Sequence, residues 1–326
     1  MRFKKGRKLP PQTLGKIGVL MGGSSSERDV SLRSGNAIYQ ALKERGFAVE
    51  AIDIQSRNMR EELSSHSLDF AFVALHGKGG EDGEIQSVLE QLGIPYLGSD
   101  SEVSSRAFNK IVAKKIFSEA GILTPPFAIL SANDWEERLA HFGFPIFVKP
   151  PEEGSSIDVF CVEELTSLKK VVSYLFQKHS RLLAEKRIEG QEITVGIIGT
   201  RSLPVVEIRP RRFFYDYVAK YTPGMTKYIV PAEIPEAISQ KVQEIALAAH
   251  HVLGLRDVSR IDMILQEEEA YVLEANTIPG FTETSLLPKA AQAAGLEFSD
   301  LCVELIRIAL TRMEHEKESK GEKIFI

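Results

Sequence analysis

Short apolar runs, each followed by a glycine-rich polar stretch, open the chain. Residues 16–20 read as a strand that runs into Met21-Gly22-Gly23-Ser24-Ser25-Ser26-Glu27. A helix is predicted next, with Val30, Ala37, Ile38, Ala41 and Leu42 near one face and Gly46 at its end; a second strand covers 47–54. A third strand, 70–75, leads into His76-Gly77-Lys78-Gly79-Gly80-Glu81-Asp82-Gly83-Glu84 and another helix. Strand, glycine loop, helix, repeated, predicts a parallel sheet with ligands at the carboxyl ends of its strands.

From Ser99 the pattern changes. One helix is expected over 102–120, carrying Lys110, Lys114 and Lys115 and ended by Gly121. Strands are expected at 127–130, 144–149 and 157–162, a helix at 165–179 and a strand at 182–186. Residues 193–198 and 202–209 read as a hairpin around Gly199-Thr200. The aromatic loop from Phe213 to Gly224 is long enough to be a lid. An amphipathic helix over 232–253, a polar turn over 276–288 and two closing helices complete the pattern, with a loose charged tail after Glu314.

The stretch 258–276, VSRIDMILQEEEAYVLEAN, has two apolar runs around a polar break and predicts a β-hairpin. A turn centred on Glu268 sets Asp262 opposite Glu274 and Arg260 opposite Asn276, all on one face because side chains alternate along a strand. Ile261, Met263, Leu265, Tyr271, Leu273 and Ala275 would then form the covered face. Two opposed carboxylates repel unless a cation lies between them, and Asp, Glu and Asn oxygens suit Mg²⁺ or Mn²⁺. A hairpin with a merely solvated polar face is the alternative. The glycine loops are similarly open. GGSSSE can cradle a phosphate at a helix start or be a simple tight turn, and Gly18, Gly22 and Gly23 lack the GxGxxG spacing of a dinucleotide fingerprint. HGKGGEDGE is either a ligand loop or a flexible surface loop. Lys149, at the end of an apolar strand before Pro150-Pro151-Glu152-Glu153-Gly154-Ser155-Ser156, is either solvated or a phosphate ligand.

Composition narrows the class. At 326 residues, 43% hydrophobic and 26% charged, the chain is expected to be soluble and to hold two or three domains. A formal charge of −5 gives no reason to expect nucleic acid or an anionic membrane as partner. Cys161 and Cys302 are far apart without CxxC spacing, so neither a disulfide framework nor a thiolate metal site is expected, and a reducing cytosol fits. Residues 1–15 read as a flexible basic tail; they lack the apolar core of a secretory signal.

Taken together, GGSSSERDVSLRSG, ALHGKGGEDGEIQ, VKPPEEGSSI, YDYVAKY, SRIDM and EANTIPGFTETSLLP, in this order from about Lys16 to Arg307, resemble the ATP-grasp superfamily and within it the D-alanine–D-alanine ligases. The resemblance implies α/β and α+β architecture in a three-domain ATP-grasp fold: an N-terminal parallel-sheet domain (16–101), a central subdomain (102–190) and a C-terminal subdomain (191–326) with the lid at 210–228. It implies a cytoplasmic enzyme that uses ATP and two Mg²⁺ (or Mn²⁺) ions to join two D-alanines through a D-alanyl phosphate for peptidoglycan precursor, with a homodimer as the expected assembly. Carried across by position, Lys110, Lys149 and Lys220 match lysines on the ATP phosphates. Glu185, Lys186 and Ile188 match the adenine segment, and Glu192 the ribose carboxylate. Asp262, Glu274 and Asn276 match the metal ligands and Arg260 the oxyanion arginine. Glu27 matches the carboxylate on the first D-alanine's ammonium, with His76 its neighbour. Ser155 and Tyr221 match the link between serine loop, lid and Glu27; Gly280, Ser285 and Leu286 match the second D-alanine's carboxylate site.

Three positions depart from the family's usual pattern: Val218 replaces an acid in the lid, Asn109 an aspartate before the phosphate lysine, and Asp158 a glycine after the serine loop. Rival readings are a D-alanyl-D-serine or D-alanyl-D-lactate ligase of the same fold, a non-catalytic ATP-binding relative, and a nicotinamide dehydrogenase built on the first glycine turn. Tyr221 favours D-alanine as second substrate, since relatives that make D-alanyl-D-lactate usually carry a lid histidine.

Overall fold

The computed structural model describes residues 9–55, 58–222 and 224–319, without the side chain of Tyr221. The first unit contains β1 (Lys16–Gly22), α1 (Arg28–Glu44), β2 (Ala48–Ile54), α2 (Met59–Ser64), β3 (Phe70–Val73) and α3 (Glu84–Leu92). Its three strands are parallel in the order β2-β1-β3, as the alternation of strands and helices predicts. β1 is apolar nearly throughout and buried from Ile17 to Gly22, as a strand covered on both faces must be. The core-facing side of α1 is Ser31, Ser34, Gly35, Ile38, Ala41 and Leu42, leaving Val30 and Ala37 half-buried. Small residues dominate that face because Met21 packs directly on Gly35. The flexible tail expected over 1–15 does not extend that far: residues 1–8 lie outside the described residues, but Pro11–Thr13 form a short turn and Leu14 is buried in the core.

Next come α4 (Ser101–Phe108), α5 (Lys110–Glu119), β4 (Phe127–Leu130), α6 (Trp135–Leu139), β5 (Ile146–Lys149), β6 (Phe160–Val162), α7 (Leu165–Leu175) and β7 (Leu182–Lys186). The strands form an antiparallel sheet in the order β4-β7-β5-β6. The single helix expected over 102–120 is two. Asn109 leaves the helical conformation (ψ 100°), and its side chain accepts a hydrogen bond from Val112 N at 3.1 Å, capping α5. Asparagine therefore does the capping work of the usual aspartate. Past the break Lys114 lies 2.8 Å from Glu185 of β7, while Lys110 lies 3.4 Å from Glu274.

The last unit holds β8 (Gln191–Ile198), β9 (Arg201–Ser202), β10 (Val206–Pro210), α8 (Tyr217–Tyr221), β11 (Thr226–Ile229), α9 (Glu236–Leu253), β12 (Val258–Gln266), β13 (Glu269–Asn276), α10 (Leu286–Ala293) and α11 (Phe298–Ser319). Its sheet runs β11-β10-β8-β12-β13, with β9 paired to β8. β11 was not expected. It pairs with β10, so the rear of the predicted lid is sheet rather than loop. Nor is the stretch after Glu314 loose, because α11 continues to Ser319, braced by ion pairs from Arg312 (3.2 Å) and Arg256 (3.7 Å) to Glu316. α11 packs on α1, so the N-terminal sheet and the C-terminal helix share one core.

The predicted hairpin forms with one change of register. At its tip Gln266 pairs with Glu269, but a bulge between Asp262 and Met263 leaves Leu273 without an opposite number, after which Asp262 pairs with Glu274 and Arg260 with Asn276. The covered face is therefore Ile261, Met263 and Leu265 with Ala270, Val272 and Ala275; Tyr271 and Leu273, expected there, are only half-buried. This face packs in one core with Ala113 and Phe117 of α5 and Val242, Ala246, Ala249 and Leu253 of α9. Phe117, fully buried there, should cost about 3–5 kcal/mol when cut to alanine. Val112→Ala, on the exposed side of the same helix, should change stability by less than about 1 kcal/mol. Urea unfolding of the two variants measures the contrast, and equal midpoints would contradict this assignment of the core.

Candidate active site

The carboxyl ends of β1 and β3, the N-terminus of α5, the loop after β5, the lid helix α8 and the polar face of the hairpin converge on one cleft of about 610 Å³. Glu27, His76, Ser155, Lys110, Lys220, Arg260, Glu274, Asn276, Gly280, Ser285 and Leu286 all line it. These residues are up to 259 positions apart in sequence (Glu27 to Leu286), and the three sheets bring them together.

One wall is built by the two glycine loops and the serine loop. Gly22 and Gly23 adopt left-handed backbone (φ 88° and 81°), turning the chain so that Ser25 Oγ donates to the His76 carbonyl at 2.6 Å and accepts from Glu27 N at 3.2 Å. Ser155 Oγ, from the serine loop, donates to Glu27 Oε1. The serine loop holds Ser155, Ser156 and Asp158 at φ 50°, 58° and 53°, a conformation that disfavours side chains. Asp158, where a glycine was expected, keeps that shape because its carboxylate accepts hydrogen bonds from Tyr174 Oη at 3.2 Å and Lys178 Nζ at 3.3 Å. The link from serine loop to lid runs from Ser156 Oγ to the Tyr215 carbonyl at 3.2 Å. The link expected of Tyr221 falls on a side chain outside the described residues.

The opposite wall is the hairpin. Arg260 Nε and Nη2 donate to the two oxygens of Asp262 at 2.8 and 2.7 Å, and Thr194 Oγ1 donates to Oδ1 at 2.6 Å. Lys110 Nζ lies 3.4 Å from Glu274 Oε2 and donates to the Glu153 carbonyl at 2.7 Å, tying hairpin to serine loop. The repulsion between Asp262 and Glu274 is thus met within the chain, each acid having its own cation. Burial works against the charge on Glu274, but Lys110, Lys220, Lys149 and Arg260 outweigh it and hold the carboxyl down at about 2. Burial likewise opposes the charge on Arg260, and Asp262 more than restores it, raising the guanidinium above its ordinary range. Two carboxylates and an amide on adjacent strands make a set of hard oxygen donors. Asn276 uses its Nδ2 on Asp262 at 3.0 Å, which leaves Oδ1 as the ligand atom, so the residues fit a Mg²⁺ or Mn²⁺ ion. Among the described residues no cluster of three His, Cys, Asp or Glu offers another metal site.

His76 is buried, 3.2 Å through Nε2 from Ser34 Oγ, and Ser34 Oγ also accepts from Phe281 N at 3.2 Å. Burial and then Arg260 push the imidazole down to about 4, against a hydrogen bond with the Ile278 backbone, so it is neutral near pH 7. Ser285 precedes the first turn of α10 without capping it through its side chain; its Oγ instead accepts from Thr282 N at 3.0 Å.

Several expected residues do not reach this cleft. Lys149 and Glu185 are buried behind it, paired at 2.7 Å, and Asp262 is covered by Arg260. Lys186 donates to the Phe144 carbonyl at 3.1 Å, away from the cleft wall with Ile188. Glu192 is partly buried on β8 between Ile208 and Ile264. Conversely, Glu81, Tyr215, Tyr228, Thr282 and Lys289 line the cleft without having been singled out. Glu81 had a signal, as an acid inside a glycine loop. Burial, then Glu27, pushes it up to about 8 while Gly77 N donates to it at 3.0 Å. Tyr228 had none, because it reaches the cleft only through the unexpected pairing of β11. Of the departures, Val218 is exposed on α8 and does not line the cleft.

Comparison with known proteins agrees over nearly the whole chain. The family model described as D-ala D-ala ligase N-terminus matches residues 16–64 and 55–99, and that described as D-ala D-ala ligase C-terminus matches 116–307. The chain is 43% identical over 304 residues to the D-alanine–D-alanine ligase of Desulforudis audaxviator, covering 91% of this chain and 99% of that one. The D-alanine–D-alanine ligase of Carboxydothermus hydrogenoformans is 44% identical over 307 residues, with 90% and 98% covered. Among solved structures, the Bacillus anthracis D-alanine–D-alanine ligase complexed with ATP superposes with a TM-score of 0.81 at 35% identity, covering 93% of this chain and 99% of that one. The VanG D-Ala:D-Ser ligase of Enterococcus faecalis gives 0.80 at 29% identity, covering 91% and 100%. With both halves of the family matched and the motif residues gathered around one cleft, the chain belongs to the D-alanine–D-alanine ligase family and has its ATP-grasp fold.

Proposed function

We propose that this chain joins two D-alanines to D-alanyl-D-alanine at the expense of ATP, by way of a D-alanyl phosphate, and so supplies peptidoglycan precursor. The observation that carries the reading is that Glu27 with Ser155, Lys110 with Glu274, and Arg260, held from behind by Asp262, face one cleft. Such a space can hold an ammonium at one end and phosphate at the other. In this reading Glu27, oriented by the Ser155 hydroxyl, takes the ammonium of the first D-alanine, beside the neutral His76. Lys110, Lys149 and Lys220 neutralise the phosphates, while Glu185, Lys186 and Ile188 border the adenine and Glu192 the ribose. Asp262, Glu274 and Asn276 would hold two Mg²⁺ (or Mn²⁺) ions, whose charge would stabilise the phosphate oxygens.

The chemistry asks for positioning and charge stabilisation more than for a strong base. Transfer of the terminal phosphoryl group of ATP to the first D-alanine's carboxylate makes an acyl phosphate and releases ADP. The amine of the second D-alanine, held by its carboxylate at Ser285, Leu286 and Gly280, loses a proton and attacks the acyl carbon, and inorganic phosphate leaves. Arg260, fixed by both oxygens of Asp262, meets the oxyanion that forms. Tyr221 is assigned to the link between lid and Glu27. We further propose a cytoplasmic homodimer and the three-part division 16–101, 102–190 and 191–326; no helix of the described residues is long and apolar enough to cross a membrane. D-serine as second substrate is the rival that the VanG likeness raises, against higher identity to relatives named for D-alanine.

Phosphate release from ATP should be stimulated by D-alanine far more than by L-alanine, D-serine or D-lactate, and chromatography should find D-alanyl-D-alanine. A preference for D-serine in the product would move the assignment to the rival. Arg260→Ala should keep ATP affinity within a few-fold while lowering kcat by about 10²–10³; loss of both in equal measure would remove its oxyanion role.

Glu192 yields a pH prediction. Burial raises its carboxyl from 4.5 to about 8, with Asp262 and Glu274 adding to the rise and Lys220 and Arg260 opposing it. The folded chain therefore holds this proton more tightly than the unfolded one. Its stabilising contribution is complete below about 4.5 and is lost as pH rises through about 8. In the nucleotide-free protein, Glu192→Gln should flatten the decline in urea midpoint over that window. Parallel profiles for the two proteins would mean that Glu192 is ionised.

A further inference from the structure

Behind the cleft wall lies a buried charge cluster in which one member, Lys114, has no part in the steps above. Lys114 sits one turn along α5 from Lys110, and its side chain is fully covered. Its ammonium donates to Thr124 Oγ1 at 2.5 Å, and that hydroxyl donates to the Val272 carbonyl of β13 at 2.7 Å. Lys114 Nζ also lies 2.8 Å from Glu185 Oε1, and Lys149 Nζ lies 2.7 Å from Oε2 of the same carboxylate. The face of Phe127, 5.7 Å away, closes the site around Lys114. Two ammonium groups thus share one carboxylate, all three nine-tenths or more covered.

A buried ion pair is neutral, but this triad carries a net positive charge in a place poor in water. Such an excess is costly unless an anion arrives to meet it. Its field already reaches the cleft, since Lys149 helps to hold the Glu274 carboxyl low. Burial pushes Lys114 down to about 8, Lys149 adds to the fall, and Glu185 resists it. The carboxylate for its part is held below its usual range by the two lysines against its own burial.

We propose that Lys114 is a positioning residue of the nucleotide subsite: by taking a share of Glu185 it prevents that carboxylate from neutralising Lys149, so that a net positive charge stands behind the phosphates. The inference rests on the use of ATP proposed above. Lys114 itself does not touch the nucleotide. Its effect passes through Glu185 and Lys149, and Thr124 and the β13 backbone fix its place.

The test uses the full chain with Mg²⁺ and ATP, reading calorimetric ATP affinity, KM for ATP, KM for D-alanine and thermal unfolding. Lys114→Met leaves a neutral Glu185–Lys149 pair and should weaken ATP binding about tenfold, the size of one charge interaction a few ångströms away in a partly screened site. KM for D-alanine should stay within about twofold. The double variant Lys114→Met with Glu185→Gln restores a net positive charge and should recover most of the lost affinity relative to Lys114→Met alone, read with Mg²⁺-tripolyphosphate, which lacks the adenine that Glu185 borders. A purely structural lysine would lower stability without that recovery. Lys114→Gln, which keeps a donor for Thr124 without the charge, gives the same reading should the methionine variant not fold. Unchanged ATP affinity in both single variants, or a double variant no better than the single, overturns the proposal while leaving ATP use intact. A wild-type chain that does not bind ATP overturns both.

Discussion

Everything at the cleft depends on Asp262 and Glu274 meeting across β12 and β13, and that meeting depends on one bulge. The tight tip of the hairpin, with Gln266 opposite Glu269, would by itself bring Leu273 opposite Asp262. Because side chains alternate, a one-residue slip of this kind carries a whole set to the other face. Leaving Leu273 out of register returns Glu274 to the polar face beside Asp262 and Asn276. On the other face it brings Val272 and Ala270 into the core beneath α5 and α9. One irregularity thus serves both the packing and the site.

The electrostatics follow from that geometry. Acids placed together behind a hydrophobic wall repel strongly, and the chain answers with a cation for each: Arg260 on Asp262, Lys110 on Glu274, and Lys114 with Lys149 on Glu185. Except for Arg260 with Asp262, which lies within β12, these pairs join different elements and so help to set them relative to one another. Lys110 illustrates the economy, since one ammonium reaches the hairpin and the serine loop together. The cleft is preorganised in the sense that matters for charge stabilisation, because its dipoles and ions are held by the fold before a substrate arrives.

Much of this was legible in the residues alone. The order of strands and helices, the parallel first sheet, the pairing of Asp262 with Glu274 and the family resemblance all followed from local patterns, which need only the chemistry of neighbouring positions. Errors clustered where a local pattern was broken for a distant reason. Residues 102–120 have helical periodicity throughout, yet Asn109 interrupts them so that Lys110 can face the serine loop, to which its backbone is also bonded through Pro151. β11 looked like loop because its strand character rests on pairing with β10 rather than on its own apolar run.

The sequence by itself determined which residues bear charge, which stretches must be covered and which turns need glycine, since these are properties of side chains and of a few bonds. Only the tertiary structure decided the rest. It placed Lys149 and Glu185 behind the wall and Glu81 in it, and it allowed Asp158 to hold a left-handed turn through Tyr174 and Lys178. It also gave Lys114 a half-share of a carboxylate 71 positions away (Glu185 less Lys114). The physical reason is that burial, field and hydrogen-bond geometry act through space, and sequence distance says nothing of them until the sheets are assembled.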